Sequence, residues 1–81
     1  MMPDPMMGDP KARAFVQAKV EWARRYKAGQ WHQGDGTPAD VVRTYKAFSN
    51  EYGSESQLDV SMRIRRMLRI AWEREGWDDW Q

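Results

Sequence analysis

From residue 10 to residue 75 the apolar side chains recur at intervals of three and four, the spacing that gathers them on one side of an α-helix. Three segments carry the pattern, each with its own start and stop, and strand signals are nearly absent. The expectation is an all-α fold: a small three-helix bundle, with helices over about 10–28, 38–52 and 56–75.

In the first segment, Asp9 is a suitable N-cap, Pro10 fits the first helical position, and Gly29 closes the far end. At about 100° per residue, Trp22, Phe15, Tyr26, Ala12, Ala23, Val16 and Val20 fall on one side. Lys19 projects near the middle of that stripe, and its reading is a stem lying over the aromatic rings with the ammonium in water. Two glycines around Asp35 mark residues 30–36 as a loop. In the second segment Thr37 caps, Pro38 opens the helix and Asp40 sits in its positive first turn. Val41, Tyr45, Phe48 and Tyr52 follow on one stripe, Val42 lies at its edge, and Gly53 ends it. The third segment starts at Ser54 or Ser56, with Asp59 three residues after the latter, and runs to about Glu75 before Gly76. Val60, Ile64, Met67, Leu68, Ala71 and Trp72 form its core stripe.

Outside these segments lie a proline-rich, flexible arm over residues 1–9 and a short aromatic and acidic tail, Gly76 to Gln81. The arm lacks the positive start and apolar stretch of a secretory signal, and no segment approaches a membrane span. A cytoplasmic protein with no membrane partner is expected. The 81 residues allow one domain, over 10–81, with a thin stability margin. Without cysteine, neither disulfides nor thiolate metal sites are available to reinforce it.

Thirteen basic and twelve acidic residues leave a net charge of +1, far from the excess of a typical nucleic-acid binder. The charges are sorted, however. Arg63, Arg65, Arg66 and Arg69 precede Glu73, Arg74, Glu75, Asp78 and Asp79, so a basic helix body runs into an acidic end. Like charges three and four apart weaken a bare helix, although Asp59 can relieve Arg63 and Glu73 can relieve Arg69. Met62 and Ile70 lie among the arginine directions, outside the core stripe, which is the composition of a contact surface. Trp22 and Trp72 belong to core stripes, whereas Trp31, Trp77 and Trp80 do not. Trp31 folds back over the helix ends. The tail either docks on the bundle, near Lys19 or Arg24 and Arg25, or enters a basic-rimmed groove on another molecule; docking on the bundle is the preferred reading.

Catalysis is the weakest option, and no catalytic residue, metal or cofactor is expected. The single histidine, His32, stands three residues before Asp35, which in principle orients an imidazole, but the chain offers no placed nucleophile or oxyanion donors. The expected function is therefore a non-enzymatic protein acting by stoichiometric contact with a protein or nucleoprotein partner. The contact residues are Arg63, Arg65, Arg66, Arg69, Met62, Ile70, Trp77 and Trp80. In size and style the chain is like phage-encoded accessory proteins and inhibitors of host machinery, anti-CRISPR proteins among them, which occupy a partner's nucleic-acid or protein site. The alternative is a helix-turn-helix DNA-binding regulator whose third helix leads with Gln57, Leu58, Asp59 and Ser61. A homodimer in which the extra apolar residues meet their own copy is the third reading.

Overall fold

The structure, a computed structural model, describes residues 8–80 and is all-α: no strand occurs among them. Helix α1 spans Pro10–Lys27, a single 3₁₀ turn covers Gln33–Asp35, helix α2 spans Ala39–Glu51 and helix α3 spans Gln57–Arg74. Except for Gly8 and Asp9, the arm expected over 1–9 lies outside the described residues, as does Gln81.

The Asp9 carboxylate accepts the Lys11 N–H at 2.8 Å, which satisfies one of the donors left bare at the start of α1. At the other end Gly29 takes φ 73°, and the N–H groups of Gly29 and Gln30 turn back to the carbonyls of Tyr26 and Arg25. This is the Schellman closure that a left-handed glycine permits. Ser56 caps α3 by accepting the Asp59 N–H at 3.5 Å.

Two details differ from the sequence expectation. Pro38, not Thr37, is the half-helical residue before α2: its carbonyl takes the Val42 N–H at 3.1 Å, and no side chain caps the helix. Burial of the Pro38 ring goes with this shift, which leaves Thr37 one residue too early to reach the helix donors. Gly53 does follow α2 but without a positive φ. A Cβ there would stand 3.2 Å from the Ser49 carbonyl oxygen, so lack of space, not handedness, favours glycine.

The core has two lobes, both built on α1. Ala12, Val16 and Val20 meet Phe48 of α2 and Val60 and Met67 of α3, while Phe15 and Ala18 meet Val41. Phe15 and Phe48 stack with ring centroids 5.8 Å apart, and Phe48 meets Tyr52 at 5.1 Å. Backbone approach between helices is confined to α1 with α2 and α1 with α3. α2 and α3 thus lean on α1 from two sides, and what they share is side-chain packing at the Phe48 and Val60 end of the core.

Candidate functional site

Three features lie outside the core: the outer face of α3, the folded-back tail, and a cleft that opens beside the tail. The outer face is built by helical spacing alone. Leu58, Met62, Arg65, Arg66 and Arg69 fall within one arc of about 100° opposite the core stripe, at about 100° per residue, and all five are exposed. Leu58 is 70% exposed and Met62 58%. Arg66 has no ion pair among the described residues, and Arg69 pairs with Glu73 at 3.4 Å, the partner its i, i+4 spacing predicts.

Arg63 stands off this arc, and Arg65 on it has a partner in the tail. Arg63 is half-buried on the flank facing the α2–α3 turn, where Glu55 holds it at 3.2 Å. Arg65 lies at the edge of the arc with its guanidinium 5.4 Å from the Trp80 ring centre, a cation over an aromatic face. Ile70 is half-buried in a shallow groove between α1 and α3, beside Val20 and Met67. The structure therefore brings Met62, Arg65, Arg66 and Arg69 together and separates Arg63 and Ile70 from them. Leu58 joins the face; its i, i+4 relation to Met62 was the available signal.

The tail docks on the bundle. Gly76 takes φ 79°, the N–H groups of Gly76 and Trp77 return to the carbonyls of Glu73 and Trp72, and the chain reverses. This closure places residue 77 against residue 72, and the two indoles meet edge to face at 5.0 Å. Trp80 also meets Trp72 edge to face, at 5.8 Å. The acidic residues fix the tail to α1: Asp79 accepts from the Lys27 ammonium at 2.6 Å and from the Trp72 indole N–H at 3.2 Å. Glu75 bonds Arg24, which Glu21 also holds at 2.5 Å. The bond from Lys27 keeps the Asp79 carboxyl below its ordinary pKa. The basic anchors are thus Lys27 and Arg24, in place of Lys19 and Arg25. Trp77 and Trp80 are both half-buried by these contacts.

The third feature was not singled out from the sequence. A cleft of about 720 Å³ opens between the second half of α1, the loop after it and the end of α3. Its walls are aromatic: Trp22, Tyr26, Trp31 and Trp72. Trp31 is fixed by its indole N–H, which donates to the Gly36 carbonyl at 2.9 Å and pins the loop to itself. Lys19 stands in the cleft with its ammonium 5.2 Å from the Trp22 ring centre, as its place in the aromatic stripe suggests. It has no ion pair among the described residues. The sequence signals were present as two oddities, a lysine inside an apolar stripe and a tryptophan belonging to no stripe. What joins them is the loop, whose path periodicity does not determine.

His32 lines the same cleft but is exposed, and Asp35 accepts its backbone N–H at 2.7 Å instead of orienting its ring. Among the described residues no three His, Asp or Glu side chains gather as a metal site would require, and no helix is long and apolar enough to cross a membrane. Comparison with known proteins finds no matching family model, no matching curated protein and no matching solved structure.

Proposed function

We propose that this chain is a non-enzymatic binding protein that acts by stoichiometric contact, through the outer face of α3, with a protein partner presenting an acidic surface. The observation that carries the reading is the exposure of Leu58 and Met62, at 70% and 58%, in the middle of an arc otherwise occupied by Arg65, Arg66 and Arg69. Neither apolar side chain contributes to the core, and both cost solvation free energy where they stand. An apolar centre with an arginine rim is the composition of a protein interface, and a carboxylate-bearing partner complements its charge. A chain of this kind works by covering a partner's nucleic-acid or protein site, in the manner of a phage-type accessory or inhibitor protein such as an anti-CRISPR.

DNA is the weaker complement. Among the described residues Glu73 pairs with Arg69 and Glu55 with Arg63, so carboxylates already stand beside these cations, and phosphate binding depends on cations without nearby acids. Asp59 also stands in the first turn of α3, where a recognition helix meets the duplex. Against an enzyme stands the exposed His32, whose neighbouring carboxylate bonds its backbone and not its ring.

The test is capture of partners by the wild-type chain, by an R65E/R66E/R69E variant and by a Leu58→Ser, Met62→Ser variant, each first shown to keep its helical circular dichroism. Both variants are expected to lose a partner that the wild type holds at a one-to-one ratio. Retention of every partner by both would remove the outer face of α3 from consideration. Salt-steep binding to duplex DNA would favour the regulator instead. A concentration-dependent mass in light scattering, abolished by the Leu58 and Met62 changes, would favour the homodimer.

A further inference from the structure

The aromatic cleft has no part in the contact proposed for α3, and its chemistry is different. Four aromatic rings, from Trp22, Tyr26, Trp31 and Trp72, stand among its lining residues, where the outer face of α3 has aliphatic side chains and arginines. Tyr26 is 61% exposed although it belongs to the apolar stripe of α1, because no helix covers that end of the stripe. A volume of about 720 Å³ is in the range of small-ligand sites and exceeds what one side chain fills. Flat rings on several sides select a flat, polarisable guest.

The charges in the cleft narrow the guest further. Of the two lysines, Lys27 is matched by Asp79 at 2.6 Å and also lies over Trp77 at 5.0 Å. Lys19 is half-buried, its ammonium lies 5.2 Å from the Trp22 ring centre, and it has no ion pair among the described residues. An ammonium with no carboxylate partner among the described residues is complemented by an anion on the guest. Asp79 does not oppose such an anion at full strength, since Lys27 and the Trp72 N–H hold its charge.

We infer that the cleft is a binding site for a nucleotide, its base stacked on the aromatic walls and its phosphate paired with Lys19. A planar ring joined to a phosphate by a short link matches both halves of the site. Stacking on aromatic side chains accepts any base, because every base has a π-face. The guest is either a free mononucleotide or one unit of a single strand, and the two share this chemistry.

Titration of the full-length protein with adenosine 5′-monophosphate, adenosine and a short oligoadenylate tests the assignment. Binding is read from the indole N–H resonances of the labelled protein. Saturable shifts confined to Trp22, Trp31 and Trp72 are expected with the monophosphate, with adenosine about tenfold weaker. Lys19→Gln should weaken the monophosphate to the level of adenosine and leave adenosine unchanged. Tyr26→Ala, at an exposed position, should weaken both ligands about tenfold without altering helicity. Tighter binding of the oligomer than of the monomer assigns the site to single strands, and equal binding assigns it to the free nucleotide. Absence of saturable shifts, shifts centred on Trp77 and Trp80, or equal affinity of nucleotide and nucleoside in the wild type would overturn the proposal.

Discussion

Asp9 shows how one side chain serves two elements. It caps α1 through the Lys11 N–H and accepts the Tyr52 hydroxyl from the end of α2. Partial desolvation works to raise its pKa, but the bonds from Tyr52, Glu51 and the Lys11 and Ala12 N–H groups outweigh that and hold it low. Glu51 moves the other way, raised chiefly by its bond to Asp9. Asp9→Ala is expected to cost about 1–2 kcal/mol in urea unfolding, because it removes a helix cap and leaves Tyr52 without its partner. Phe48 sits at the junction of the three helices, 3% exposed. Phe48→Ala should cost about 3–5 kcal/mol. A domain of this length has roughly that margin in total, so the variant should lack helical circular dichroism at room temperature. Phe48 was legible from periodicity, and so was Lys19 as an anomaly. The pairing of Asp9 with Tyr52 was not, since it joins residues 43 apart.

At the scale of the element, what the sequence encodes best is helix identity, because caps and core stripes are local. Each helix lies within a residue or two of its expected bounds. The expectations on capping held where a short polar side chain directly precedes the helix, at Asp9 and Ser56. At Thr37 the proline stood between, and it took the half-helical position itself. The tail is the most informative case. Gly76 was readable as a stop, yet the same closure also brings Trp77 onto Trp72, and that pairing turns a loose end into a docked one. Gly76→Ala forces a side chain into the left-handed region at a cost of about 1–2 kcal/mol, and it should diminish the near-ultraviolet signal of the packed tryptophans before helicity falls. The latch between Asp79 and Lys27 also gives the tail a pH dependence. The folded carboxyl titrates below its ordinary 3.8. Its stabilising effect is therefore full above that value and lost as pH falls through the lower folded pKa. Tryptophan emission should report release of the tail in acid, and Asp79→Asn should remove that step.

In the whole molecule, the arrangement of helices was beyond the reach of the sequence, because packing order depends on contacts between distant segments and no local signal records it. The same limit applied to the sites. Helical spacing assembled Met62, Arg65, Arg66 and Arg69 on one face, but the turn before α3 and the reversal after it drew Arg63 and Arg65 toward other partners. The cleft needed a loop, a helix and a tail to meet. The central place of α1 has a dynamic consequence as well. Since the backbones of α2 and α3 each approach α1 and not one another, α1 cannot open without releasing both, whereas opening α2 or α3 leaves the other helix its contact with α1 and costs the packing shared at Phe48 and Val60. Amide hydrogen exchange should therefore be slowest along the middle of α1, around Val16 and Val20. α2 and α3 should exchange sooner, so that strain placed on α3 by a bound partner would reach α2 through the first helix and through the shared side-chain packing of Phe48 and Val60.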